Sequence, residues 1–411
     1  MKTSLKLMAT LLLSVALSGY ALADDKGKDN KPTVSKAAAK PLKAAKDDID
    51  AKKYQDAIVK LKEAQALPNK SPYEEFVINQ MYGFAALKTG DDATAEKSFE
   101  AMLNSQYMEE GEKAKYVTIL AQLNYQLKDY DKAIDYGNRA IKGGFADDKM
   151  YTVISQAYYL KGDYKGALKF TDPYIDSQIK KGETPKETTL DLVLSSCTKL
   201  DDQACQTRAL ERMVTYYPNQ EYWQNLLYSL MTAKENSDRT LLDVYRLANE
   251  VDALKRPEDY TEMAQLAIEQ GSPGEAQRVL EKGFSKNVFV EQRDKERNQR
   301  LLESAKKQAA QDQAALPKLE TEAATAKTGD KDVGLGIAYL GYQQYSKAVD
   351  ALNKGLQKGG LKNEAEARLL LGIAQLKAGT KDDATKTFHA VKGDPTLERL
   401  ANLWTLHAHQ A

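Results

Sequence analysis

Few side chains in this sequence are suited to covalent or metal chemistry. The 411 residues include two cysteines and three histidines, His389, His407 and His409. His407 and His409 lie two residues apart, which on a helix directs them to different faces, so they make a poor joint metal site. The ligand spacings of known zinc and calcium sites do not occur. Nor does a glycine-rich phosphate loop, a nucleophile elbow or a paired-histidine zinc helix. The carboxylate pairs Asp91-Asp92 and Asp382-Asp383 fall in turn-like sequence, where aspartate favours helix starts, so they read as caps rather than catalytic acids. We therefore expect no catalytic, cofactor-binding or metal-binding residues, and no enzyme.

What remains is a pattern of shapes. One short phrase keeps returning: KKYQDA at 52–57, TGDDATA at 89–95, KDYDKA at 128–133, KGDYKGA at 161–167, QQYSKA at 343–348 and GTKDDA at 379–384. Each couples turn-forming residues to a small residue that opens an apolar helical pattern. The small anchors Ala57, Ala95, Ala133, Ala167 and Cys205 are 38, 38, 34 and 38 residues apart. The later anchors Ala276, Ala348 and Ala384 leave gaps of 71 and 72 residues around Ala276, each long enough to hide one degenerate hairpin. Larger residues follow four and seven places after an anchor, as in Leu61/Ala64, Phe99/Met102 and Phe388/Val391, one stripe of a helix. A small or compact residue stands 12 before it, at Ala45, Gly83, Ala121, Gly336 and Gly372, where two helices could approach closely.

These residues resemble tetratricopeptide repeats, through Tyr82-Gly83, Leu335-Gly336 and Leu371-Gly372, the alanine 12 later and the bulky residue four beyond. Gly137 and Thr171 depart from the pattern at the bulky position, which predicts loose packing there. The fold expected is all-α, an α-solenoid of about ten helical hairpins with a C-terminal capping helix, on which Leu397, Leu400 and Trp404 share one face and Arg399 and Asn402 lie on a polar outer face. Its parts are a polar, flexible linker at 24–35, an N-terminal array at 36–218, a degenerate junction at 219–256 and a C-terminal array at 257–411. Within the last, the helix-forming stretch 291–327 carries Pro317, which predicts a break into two helices.

In such arrays the first helices line a peptide-binding groove. Carried over by register, that places Gln80, Phe84, Gln122, Tyr125, Gln156 and Tyr159 on the groove wall. Gln122/Tyr125 and Gln156/Tyr159 recur at 34 residues and would form an amide-and-phenol ladder for an extended peptide, with Phe84 adding an apolar contact. Core tyrosines at helical spacing are the alternative reading.

The N-terminus sets the expected compartment. Lys2 and Lys6, the apolar stretch Leu7 to Leu17 and Ala21-Leu22-Ala23 make a secretory signal peptide over 1–23, cut after Ala23, so the mature chain is expected in the periplasm. Removing Lys2 and Lys6 leaves 57 of the 59 basic residues against 59 acidic ones, a charge near −2 that attracts neither nucleic acid nor anionic lipid. The mean hydropathy of −0.58 suits an elongated array, and no later segment is expected to insert into a membrane. In an oxidising compartment Cys197, at the end of the fifth hairpin's first helix, and Cys205, at the anchor of its second, are placed to form a disulfide. Two buried reduced thiols are the alternative.

The phrases ERMVTYYPNQEYW at 211–223, MAQLAIEQGSPGEAQRVLEKGF at 263–284, LLLGIAQLKAG at 369–379 and LANLWTLHA at 400–408 are similar to a family of proteobacterial periplasmic repeat proteins assigned to the TonB system. The resemblance implies a scaffold accessory to TonB, ExbB and ExbD, or to an outer-membrane receptor, in iron or nutrient uptake. An adaptor in envelope biogenesis, for outer-membrane protein or polysaccharide assembly, is the second reading. A hydrolase or small-molecule binding protein is the third, against which stands the missing catalytic constellation.

Overall fold

The computed structural model describes residues 32–232 and 236–410. The expected leader and residues 24–31 of the expected linker lie outside the described residues. Where that linker becomes describable it is docked: Val34 is buried, and Ser35 caps the first helix while its N–H and Oγ both donate to Glu74.

Contacts divide the chain into two units, Met1–Asp201 and Asp202–Ala411, a division ahead of the boundary expected at 218. The first unit holds α1 (Lys36–Asp50), α2 (Tyr54–Gln65), α3 (Pro72–Thr89), α4 (Asp92–Leu103), α5 (Glu110–Gln126), α6 (Tyr130–Lys142), α7 (Asp148–Lys161), α8 (Tyr164–Lys180) and α9 (Glu187–Lys199). The second holds α10 (Gln203–Tyr216), α11 (Gln220–Met231), α12 (Asp238–Glu250), α13 (Pro257–Glu269), α14 (Pro273–Ser285), α15 (Gln292–Thr325), α16 (Asp330–Gly341), α17 (Tyr345–Lys358), α18 (Glu364–Lys377), α19 (Lys381–His389) and α20 (Pro395–Gln410). The described chain is thus all-helical, and within each unit consecutive helices pack against one another.

The recurring phrase builds the hairpin turn. Five residues before the anchor the backbone is left-handed, at Lys52, Gly90, Lys128, Gly162, Gly271, Gln343 and Gly379. In several turns the next residue is an aspartate that caps the second helix: Asp91 accepts from the Thr94 N–H, Asp129 from Lys132 and Asp163 from Gly166. Asp382 and Asp383 instead lie in the first turn of α19, where the exposed N–H groups favour negative charge. In the fifth hairpin the left-handed residue is Asp201, four places ahead of Cys205 rather than five. Cys205 therefore sits one residue before the anchor position, about 100° around the helix. Both cysteines are buried, and they are disulfide-bonded to each other.

The small residue 12 before the anchor and the bulky residue four after it meet. A Cβ at Gly83 would lie 2.5 Å from the Phe99 ring and one at Gly372 2.4 Å from the Phe388 ring, so the two backbones cross around an aromatic that only glycine admits. Phe99 and Phe388 are each 1% exposed. The looseness expected at the two departures does not occur. At Gly137 the missing side chain is replaced by Ile154 of the next hairpin, 2.5 Å from where a Cβ would stand. At Thr171 the glycine–aromatic pair becomes a polar one, Thr171 Oγ1 donating to Ser155 Oγ at 2.9 Å with both residues buried.

Of the two degenerate hairpins expected, one is formed by α11 and α12. The other place is taken by a single 34-residue helix, α15, which runs through Pro317. A mid-helix proline costs about 3 kcal/mol, from a lost hydrogen bond and a carbonyl clash. Packing on both sides of it outweighs that: Leu302, Ala305, Ala309, Leu316 and Ala323 are buried along one stripe. Tyr342 Oη donates to Asp312 at 2.7 Å before the proline, and Lys358 Nζ to the Ala323 carbonyl at 2.8 Å after it.

The last helix, α20, buries Leu397, Leu400 and Trp404, with the indole stacked on Phe388 at 6.2 Å. Its expected polar outer face is not simply solvated, although Asn402 is exposed. Arg399 pairs with Glu211 of α10, and Gln410 Nε2 donates to the Val214 carbonyl at 2.9 Å. The helix thus also joins the end of the second unit to its beginning.

Candidate functional site

The wall expected from register is built by α3, α5 and α7, the first helices of three consecutive hairpins in the first unit. Gly83, Ala121 and Ser155 are buried at the hairpin crossings. Phe84, Gln122 and Gln156 each follow one of them, and a rotation of about 100° brings those side chains to the edge of the crossing. One turn further, Tyr125 and Tyr159 lie on the same stripe. These five residues and Gln80 are half-exposed.

Two links cross between hairpins. Tyr125 Oη donates to Gln156 Oε1 at 2.8 Å, and Gln80 hydrogen-bonds Tyr116. The Tyr125–Gln156 bond uses the phenol proton and the amide oxygen, which leaves the Gln156 NH2 and the phenol oxygen lone pairs as recognition groups. Phe84 meets the Tyr54 ring edge-on at 6.1 Å, with the Lys88 ammonium 5.4 Å from its centroid. Tyr125 packs on Tyr130 at 6.1 Å and Tyr159 on Tyr164 at 5.2 Å. Burial, with Tyr130 adding to it, holds the Tyr125 phenol above its ordinary pKa, so it acts as a neutral hydrogen-bonding group. Leu127 and Leu160, near the C-terminal ends of the first helices α5 and α7, are 39% and 51% exposed, apolar surface the register did not single out. These helices thus present amide, phenol and apolar groups at half-exposed positions.

His389 and His409 are exposed, and His407 Nε2 lies 3.5 Å from Glu250. Burial works against ionised Glu250, but His407 and Lys377 pull its carboxyl down to about 2. Among the described residues no group of three or more metal-ligating side chains could hold an ion, and no helix is long and apolar enough to cross a membrane.

The second unit contains a charged cluster that the repeat register did not reveal. Arg246 on α12 donates through Nε and Nη2 to Glu275 at 3.0 and 2.7 Å, and through Nη1 to Asp243 Oδ1 at 2.8 Å. Asp243 is fully buried, and its Oδ2 has no hydrogen-bond partner. Desolvation raises its carboxyl to about 7; Arg246 opposes that, and Glu366 and Glu275 reinforce it. Glu366 is itself bound by Arg239 at 3.1 Å. Beside the cluster lies a cavity of about 380 Å³ whose lining includes Ser237, Arg239, Thr240, Asp243, Asn363 and Glu366. The available signal was α12 itself, whose Leu242, Val244, Tyr245, Leu247 and Ala248 are apolar almost all round, so that Asp243 and Arg246 fall on a helix with little polar face.

Residues 83–149 and 333–396 match the tetratricopeptide repeat family profile, one stretch in each unit. No curated protein matches the chain. Among solved structures, a tetratricopeptide repeat protein from Parabacteroides merdae is 13% identical, over 82% of this chain and 99% of its own, at a TM-score of 0.31. Yeast Tom70 is 10% identical, over 91% and 96%, at 0.24, and the TPR2AB domain of yeast Sti1 in its pHSP90 complex is 14% identical, over 73% and 100%, at 0.25. Overall superposition is poor in each case.

Proposed function

We propose that this protein is a non-enzymatic periplasmic scaffold whose α3, α5 and α7 face holds an extended segment of a partner protein, as an accessory of a TonB, ExbB and ExbD energy-transducing complex. The observation that carries the contact wall is the half-exposed row of amide, phenol and apolar side chains in repeat register, tied across hairpins by Tyr125 and Gln156. An extended peptide offers backbone N–H and C=O groups at regular intervals, which such a row can pair, while Phe84 supplies apolar contact. The compartment and the uptake partner rest on the N-terminal leader and on the phrases similar to the TonB-assigned family.

In-cell photocrosslinking from Gln122 and Tyr159, followed by identification of the captured chains, tests both parts. TonB, ExbB, ExbD or an outer-membrane receptor is expected. Capture of outer-membrane protein or polysaccharide assembly factors instead would move the protein to envelope biogenesis. Capture from Gln122 unchanged by a Gln156→Ala/Tyr159→Ala double substitution would remove this face as the contact wall.

A further inference from the structure

The cavity in the second unit has the chemistry of a small cation site. Its innermost group is Asp243, fully buried, with one oxygen on Arg246 and the other without a partner. An unpaired carboxylate oxygen away from water is costly, by roughly 1–3 kcal/mol or more for a charged group, unless something fills the position. On its own helix Asp243 faces the Arg246 guanidinium, with Arg239 on the cavity lining. From α14 comes Glu275, which Arg278 also approaches, and from α18 come Glu364 and Glu366. The loops before α18 and α20 bring Lys362, Lys392 and Asp394. Arg239 is engaged by Glu366 and Lys392 by Glu398, while Asp394 accepts from the Thr396 and Leu397 N–H groups. The groups acting most strongly on Asp243 are therefore one guanidinium and two carboxylates, which leaves the inner wall short of positive charge.

A metal ion does not suit the position, since no three ligating side chains converge there among the described residues. A group with N–H donors does: Asp243 Oδ2 would accept one hydrogen bond and Glu366 a second. Ser237, Thr240 and Asn363 on the lining supply further acceptors. Leu361 and Leu397, also on the lining, suit a short alkyl chain.

We propose that this cavity binds a small organic primary ammonium ion, with Asp243 as its buried counter-ion. This assignment is independent of the peptide wall on the first unit. Binding favours ionised Asp243, so at neutral pH it releases a proton. A carboxyl held up to about 7 is about one-eleventh ionised at pH 6 and ten-elevenths at pH 8, so affinity should rise roughly tenfold between them.

Isothermal titration of the full chain with n-butylammonium chloride, at both pH values and in two buffers of different ionisation heat, tests this. Saturable binding that tightens about tenfold at the higher pH, with proton release, is expected. Asp243→Asn keeps the shape, removes a buried charge and should abolish the binding. Thermal unfolding of that variant, unchanged or higher, shows that the loss is not misfolding. Absence of saturable binding, or undiminished binding by Asp243→Asn, would overturn the proposal.

Discussion

The polar crossing at Ser155 and Thr171 makes a sharp test of how these hairpins close. Elsewhere the same two positions carry glycine and an aromatic, Gly83 with Phe99 and Gly372 with Phe388, in contact so close that a Cβ would stand 2.5 and 2.4 Å from the ring. Ser155→Gly alone should cost roughly 2–4 kcal/mol: about 1 for glycine inside a helix and about 1–3 for the stranded Thr171 hydroxyl. Thr171→Phe alone drives a ring at the Ser155 Cβ, for roughly 1–3 kcal/mol of overpacking, and strands the serine hydroxyl for about 1–3 more. Together the substitutions recreate the glycine–aromatic crossing. The remaining glycine cost is then offset by about 1.5–3 kcal/mol from a buried aromatic. The double variant should return to within about 1–2 kcal/mol of the parent, although the single costs sum to about 4 or more. Urea unfolding followed by far-ultraviolet circular dichroism, with hydrogen exchange over α7 and α8 to localise the effect, reads all four proteins. If the double variant is as unstable as the two singles added, within about 0.5 kcal/mol, the crossing is not a local two-residue unit and the reasoning fails.

Three further outcomes are expected. Lys128, left-handed at φ 64°, sits where other turns use glycine, so Lys128→Gly should raise stability by up to about 1 kcal/mol in the same urea titration. Arg246→Met leaves Asp243 and Glu275 buried without their cation and should destabilise by roughly 3–5 kcal/mol near pH 8. That deficit should shrink on acidification, as both carboxyls take up protons, in thermal melts across pH. Burial works against ionised Glu74, but hydrogen bonds from Ser35 and Ser71 outweigh it and hold the carboxyl down at about 2. Its folded pKa is lowered, so the stability it confers is complete above the ordinary carboxylate range and is lost as pH falls towards 2. Glu74→Gln should flatten that acid limb and increase hydrogen exchange at the Ala38 amide.

Much of the fold was legible because a helical hairpin is a local object. The turn phrase encodes a left-handed residue, a cap and an anchor within six residues, and its recurrence gave hairpin number and register over most of the chain. Legibility failed where a distant partner decided the outcome. Pro317 reads as a helix breaker, yet α15 runs through it because α16 and α17 hold it on both sides of the proline. Gly137 reads as a gap because Ile154, which completes its packing, comes from the next hairpin; Thr171 reads as one because the glycine–aromatic rule hides its hydrogen bond to Ser155 of the same hairpin.

The candidate sites divide in the same way. The helical stripe carrying Gln122, Tyr125, Gln156 and Tyr159 followed from register, yet the hydrogen bond joining Tyr125 to Gln156 depends on how two hairpins stack. The Asp243–Arg246–Glu275 cluster had no phrase to announce it, since its members lie on α12 and α14 and the cavity beside it is completed by α18, more than a hundred residues later in the chain. Periodicity determined most of the helices, their turns and their buried faces, because those depend mainly on neighbours three or four residues away. Only the tertiary structure decided which buried charges are paired, which carboxylate oxygen is left without a partner and where the last helix docks, because those depend on groups that the chain brings together from far apart.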